Sequence, residues 1–167
     1  MTTWQDFSEA EPELAARAHA IFTSTTNCVL ATLRADGSPR VSGIDPFFVD
    51  GELHIGSMPN ARKADDLARD DRIGLHAVPW ESRRLREGAT DPGDADAKLR
   101  GRAVEVPHEQ AVEMMTAYFA ERGIDAPVEG SLYRIEPTSV SVISVEDEQL
   151  VIDTWSATAG RTTVRRQ

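Results

Sequence analysis

The sequence has a single cysteine, Cys28, among 167 residues. An intramolecular disulfide is therefore excluded, and the fold needs no oxidising compartment. Cys28 lies in the apolar run Cys28-Val29-Leu30-Ala31, where it reads as a small buried hydrophobe. Long apolar stretches are also missing, since none approaches the roughly 20 residues that cross a bilayer. The opening Met1-Thr2-Thr3-Trp4-Gln5-Asp6 has neither the basic start nor the apolar stretch of a signal peptide. Together these absences predict a cytoplasmic protein. Positive charge is in short supply, with 18 basic against 28 acidic side chains and a net charge of −10. Such a field opposes non-specific binding to nucleic acid or an anionic membrane. It leaves room for a local basic pocket that takes one phosphate. Metal-ligand spacing is lacking, because His19, His54, His76 and His108 are scattered and no second cysteine joins them. No nucleophile elbow supports a hydrolase triad, and no Gly-x-Gly-x-x-Gly run supports a dinucleotide domain.

What is present suits one domain over residues 1–167. Hydrophobic residues make up 40% and charged residues 28%, the proportions of a globular chain. Leu14, Ala18, Ile21 and Phe22 predict a helix over Pro12 to Thr23. Strand-like runs follow at Asn27 to Arg34, Arg40 to Val49 and Glu52 to Ser57. They are separated by Asp36-Gly37 and Asp50-Gly51, which are hairpin signals and predict an antiparallel meander. A short helix at Pro59 to Arg69 and a strand at Arg72 to Val78 come next. Residues 82–97 are polar and rich in Gly, Pro and Asp, and read as a flexible loop. Beyond lie a strand at Leu99 to Val106, a helix from Pro107 to Arg122 capped at Gly123, and strands at Leu132 to Val145, Gln149 to Trp155 and Thr162 to Arg166. The pattern is mainly β with three flanking helices, which suggests a closed or half-closed antiparallel barrel.

The stretch richest in chemistry is Ser57-Met58-Pro59-Asn60-Ala61-Arg62-Lys63-Ala64. It sets two adjacent cations in the first turn of a helix that follows a strand. Free N–H groups and the helix dipole already favour an anion there. Arg62 can fork onto two phosphate oxygens, and Lys63 adds a point charge. The plainer alternative is a solvated face in which Arg62 and Lys63 pair with Asp65, Asp66 or Asp70.

The ordered set Val29-Leu30-Ala31-Thr32-Leu33, Asp36-Gly37-Ser38-Pro39-Arg40-Val41-Ser42, Asp50-Gly51-Glu52-Leu53-His54-Ile55, Ala61-Arg62-Lys63-Ala64 and Asp70-Asp71-Arg72-Ile73-Gly74-Leu75 resembles the flavin-binding split β-barrel superfamily typified by pyridoxamine 5′-phosphate oxidase. The resemblance covers residues 14–106 best. It implies an antiparallel split β-barrel of the flavin mononucleotide (FMN) type that works as a homodimer on a small-molecule substrate. It implies that Arg62 and Lys63 hold the FMN phosphate, and that Val41, Ser42, Gly43 and Ile44 present backbone groups to the isoalloxazine ring. Gly56 and Ser57 would contact the ribityl or phosphate end. Trp155 and Arg165 would help bind flavin across the dimer, and Arg161 would contact substrate. An 8-hydroxy-5-deazaflavin coenzyme, used by relatives, suits the same basic cradle. A flavin- or haem-binding module without turnover is the third reading.

The resemblance departs from the oxidase at its substrate contacts. Where the oxidase has an arginine and a lysine on its second strand, this chain has Ser42 and Phe47. The oxidase's glutamine before the fifth strand falls near Asp96. Pyridoxamine phosphate is therefore not the expected substrate. No residue stands out as an obligatory acid or base, and substrate would enter near the 82–97 loop.

Overall fold

Thr3 opens a helix that the hydrophobic periodicity did not predict. The computed structural model describes residues 2–24, 27–77, 95–125 and 128–167, and it begins with α1 at Trp4–Ala10. The Thr3 side chain accepts from Asp6 N–H at 3.1 Å, and the Asp6 carboxylate accepts from Thr3 N–H at 2.7 Å. This reciprocal capping box satisfies two orphan donors and allows a helix of only seven residues. The Thr-x-x-Asp spacing was its one signal in the sequence. α2 follows at Pro12–Ser24, in the place expected.

The strands are β1 Cys28–Leu33, β2 Pro39–Ile44, β3 Phe47–Val49, β4 Glu52–Ser57, β5 Arg72–Ala77, β6 Asp96–Glu105, β7 Ser131–Glu146, β8 Gln149–Ser156 and β9 Gly160–Arg166. Two more helices, α3 Arg62–Arg69 and α4 His108–Ala120, complete the described elements. Gly123 has φ +64° just beyond α4, as a C-terminal cap requires. Most of the loop expected at 82–97 lies outside the described residues, although its last two belong to β6.

One prediction needs correction. The single return strand from Arg40 to Val49 is two strands, β2 and β3, broken at Asp45-Pro46. Pro46 has no N–H to give to a ladder. The expected meander fails at the same point. Every pairing is antiparallel, but the sheet runs β2-β1-β5-β6-β7-β4-β3. Its two ends are consecutive in sequence and only two residues apart, so the sheet curls until they approach. This curl makes a barrel split between β2 and β3.

β7 holds the sheet together. One edge pairs with β6, while the other pairs first with β4 through residues 131–134 and then with β8 through residues 139–146. A bulge falls where Arg100 pairs with Ser139 but Gly101 with Pro137, leaving Thr138 extra. Inward residues such as Leu30, Leu75, Leu99, Val140 and Val142 fill the barrel, and Trp4, Phe7, Leu14 and Phe22 of α1 and α2 pack into the same core. Cys28 is buried in it, as expected. On the outside, Phe47, Ala111 and Leu132 form a second cluster beneath α4.

A Cβ at Gly101 would stand 2.3 Å from the Glu136 carbonyl oxygen, whereas one at Gly74 would meet only Ala31 Cβ at 3.8 Å. Backbone cannot retreat as a flexible side chain does. Gly101→Ala is expected to lower stability by about 2 kcal/mol or more, and Gly74→Ala to change it little. Urea unfolding of the two variants side by side checks this. Equal midpoints would contradict the bulge geometry.

Candidate functional site

α3 begins without a side-chain cap. Its N-cap is Ala61, which makes no side-chain hydrogen bond, and Asn60 before it has φ +59°. The first turn thus carries unsatisfied N–H donors together with Arg62 and Lys63. Neither cation makes an ion pair among the described residues. Two of the three carboxylates close in sequence are engaged elsewhere, while Asp65, in the same first turn, makes no ion pair among the described residues. Asp70 binds Arg72 at 2.6 Å, and Asp66 is taken up beneath the helix.

Asp66 is what seats α3. It is 2% exposed and accepts from Thr32 Oγ1 at 2.8 Å, Arg40 Nε at 2.5 Å and Arg69 Nη2 at 3.2 Å. One carboxylate therefore joins α3 to β1 and β2. The hydrogen bond from Arg40 outweighs burial and holds its pKa down to about 2, with Thr32 and Arg69 assisting. Because the folded value lies below the ordinary 3.8, the contribution is complete above that value. It disappears as pH falls through about 2.

Lys63 lines a cavity of about 320 Å³. Its walls come from four places in the chain. Gly43, Ile44 and Asp45 end β2; Gly56, Ser57 and Met58 end β4; Gly130 to Leu132 open β7; and Ala111, Met115 and Phe119 of α4 form an apolar side. His108 of α4 lies at the same cavity. The cavity sits at the split because β2 and β4 both end there. Gly130 makes the junction possible. It has φ +89°, and a Cβ there would fall 1.9 Å from the Ser57 carbonyl oxygen.

The structure brings together five of the residues singled out from the sequence: Gly43, Ile44, Gly56, Ser57 and Lys63. Arg62 is exposed beside the cavity's lysine in the same helical turn, and Val41 and Ser42 lie further back along β2. The C-terminal three are elsewhere in the chain. Trp155 is 5% exposed, with its ring 4.7 Å from that of Phe7. Arg161 reaches Asp153 at 3.3 Å and Glu11 at 3.7 Å. Arg165 binds Glu146 at 3.1 Å. Phe47, where the oxidase has its lysine, is buried against α4 with its ring 4.6 Å from Tyr118. The α4 wall was not foreseen. Its signal was the Ala111, Met115, Phe119 spacing, which is indistinguishable from ordinary core packing in sequence. The described residues hold no cluster of three or more metal-ligating side chains, and no described helix is long and apolar enough to cross a membrane.

A family model described as pyridoxamine 5′-phosphate oxidase matches residues 14–152. The chain belongs to the pyridoxamine 5′-phosphate oxidase family. No curated protein sequence matches it. Among solved structures similar to this family member is PhzG from Burkholderia lata 383, in complex with tetrahydrophenazine-1-carboxylic acid. It is 16% identical at a TM-score of 0.60, with 98% of this chain and 88% of that one covered. The heme binding protein from Mycobacterium smegmatis is 22% identical at 0.63, covering 87% and 59%. Atu2129 from Agrobacterium tumefaciens str. C58, of unknown function, is 20% identical at 0.59, covering 79% of this chain. The chain spans 56% of that protein's length. At these identities the likeness is one of fold, and the fold is the mostly antiparallel split barrel of this family.

Asp66→Asn is expected to destabilise the fold by roughly 1–3 kcal/mol, since it leaves Arg40 and Arg69 without their charge partner. The wild type should lose this increment between about pH 4 and pH 2, and the variant should not. Thermal melts at several pH values decide it. Parallel pH profiles would show that Asp66 does not carry the acid sensitivity.

Proposed function

We propose that the protein binds FMN through its phosphate at the start of α3 and serves as a flavin-dependent oxidoreductase on a small-molecule substrate other than pyridoxamine phosphate. The observation that carries this reading is the cavity that gathers Gly43, Ile44, Gly56 and Ser57 around Lys63, a lysine with no carboxylate partner among the described residues. An uncapped helix start, two unneutralised cations and a cavity together fit a phosphate monoester with a bulky attached group. Lys63 and Arg62 would hold the phosphate, and the Gly56-Ser57 backbone would accept its approach. The end of β2 would lie along the ring, while Ala111, Met115 and Phe119 exclude water on the opposite side. FMN, when bound, supplies the two-electron chemistry, and this chain's residues bind and orient it.

A homodimer belongs to the same proposal. Within one chain the cavity is open, and Trp155 and Arg165 do not line it. A second copy would cover the ring and present its own C-terminal hairpin. Family membership supports a cofactor site of this kind, but relatives with such different names do not select the cofactor. The deazaflavin coenzyme uses the same phosphate chemistry, and for haem His108 at the cavity would be the residue to hold the iron.

The test is spectroscopic. FMN titration is expected to be saturable, and bound flavin should absorb near about 370 and 450 nm. Arg62→Ala combined with Lys63→Ala is expected to weaken FMN at least tenfold with an unchanged circular dichroism spectrum. Unchanged affinity would sink the phosphate assignment. Tight binding of the deazaflavin alone, or of haem alone with a Soret band, would replace FMN in the proposal. Sedimentation of the loaded protein as a monomer would remove the dimer.

A further inference from the structure

α4 lines a second and larger cavity, of about 720 Å³, through a different face from the one that meets the Lys63 cavity of about 320 Å³. Gln110, Met114 and Ala117 line the larger one, whereas Ala111, Met115 and Phe119 line the smaller. The floor is the outward side of the sheet. Register places His54, Arg134 and Val104 side by side across β4, β7 and β6, and all three line the cavity. Their chain neighbours Leu53, Ile55, Tyr133, Ile135 and Ala103 lie in the barrel core, so alternation turns these three outward. Directly opposite residues hold their Cβ atoms about 5 Å apart, which sets an imidazole next to a guanidinium.

His54 is 2% exposed, and its Nδ1 lies 3.0 Å from the Glu52 carbonyl oxygen. A carbonyl only accepts, so Nδ1 carries the proton. Burial pushes the imidazole pKa down, so the ring is neutral at neutral pH and Nε2 keeps its lone pair. Nε2 makes no hydrogen bond among the described residues. An acceptor on so buried a side chain is costly to leave unmet. Arg134 offers the complementary donor. It joins Glu136 through one bond, Nη2 to Oε1 at 2.7 Å, so Arg134 Nε and Glu136 Oε2 are both buried without partners. Arg134 Nη1 makes no hydrogen bond among the described residues. Glu136 balances the guanidinium charge, but it does not use up the donors. Around them Asp50, Glu105 and Glu113 are exposed at the cavity and make no ion pair among the described residues.

We propose that this cavity binds an uncharged lactam, a flat ring in which an N–H stands next to a C=O. The N–H donates to His54 Nε2, the C=O accepts from Arg134 Nη1, and Val104 and Met114 give the ring apolar contact. Each floor group then meets its opposite. A carboxylate has no donor for His54 and is repelled by Asp50, Glu105 and Glu113. An ammonium has no acceptor for Arg134 and faces its charge. The site does not rest on the proposed flavin function, because none of its three floor residues lines the Lys63 cavity.

The probe is quinolin-2-one, a fluorescent lactam, titrated into the purified protein. Saturable binding is expected, at least tenfold weaker in Ala117→Trp, which fills the cavity from an exposed position on α4. N-methylquinolin-2-one, which has no N–H, is expected to bind the wild type at least tenfold more weakly. In His54→Phe the two compounds are expected to bind alike, whereas a purely structural His54 would leave their difference intact. No saturable binding, unchanged affinity in Ala117→Trp, or equal binding of the two compounds by the wild type overturns the proposal. Should His54→Phe fail to fold, the other two comparisons decide. The 4-carboxylate of the probe is expected to bind at least tenfold more weakly than the probe, and equal binding overturns the assignment of an uncharged ligand. Arg62→Ala with Lys63→Ala is expected to leave probe affinity unchanged while it weakens FMN. Loss of probe binding in that variant would put the probe in the Lys63 cavity and end the proposal.

Discussion

The break at Asp45-Pro46 is the constraint from which the architecture follows. A continuous strand there would keep its two halves side by side. A two-residue interruption lets one half pair with β1 and the other with β4, at opposite ends of the sheet path. A path whose ends must lie two residues apart cannot remain flat. The natural twist of strands supplies the curl, and the apolar inner face drives it to completion. The same break leaves the ends of β2 and β4 facing one opening, and the cavity forms there.

Charge works against the trend of the chain at this opening. A protein of net charge −10 should neutralise its cations easily, yet Arg62 and Lys63 stand apart from its carboxylates. Asp66 explains part of this. By turning inward to Thr32, Arg40 and Arg69, it takes its own carboxylate away from the helix start, where Asp65 remains. It also fixes the helix that carries the cations. One buried side chain thereby does two things: it anchors α3, and it keeps its charge away from Arg62 and Lys63.

Much of the fold was legible because period and punctuation agreed. β4 spans the predicted residues, and α2, β1, β5, β7 and β8 fall within a residue or two of theirs. The misses have physical causes. α1 is too short to show periodicity and depends on a capping box. The β2–β3 break hides in a run whose apolar content reads as continuous. The order β2-β1-β5-β6-β7-β4-β3 could not be read locally, because the β1–β5, β6–β7 and β4–β7 pairings join distant segments. At the site, Lys63 was readable from a helix start after a strand, whereas Gly56 and Ser57 came from the family resemblance. The α4 wall was not, since Ala111, Met115 and Phe119 satisfy a core and a cavity equally well.

The cradle at α3 and the surfaces around it answer different questions. A phosphate site recognises a charge and a few oxygens, which unrelated cofactors share, so it constrains where a ligand is held more than which ligand it is. Discrimination has to come from groups that meet the rest of the molecule. In this chain the surfaces beside Lys63 are the apolar side of α4 and the ends of β2 and β4. Phe47 stands buried where that lysine would be, and recovering the lysine would place an unpaired ammonium among Ala111, Leu132 and Tyr118. The loss of the oxidase contact is therefore built into the packing of α4 on the barrel. A lysine at this position would require the cluster of Phe47, Ala111 and Leu132 to repack.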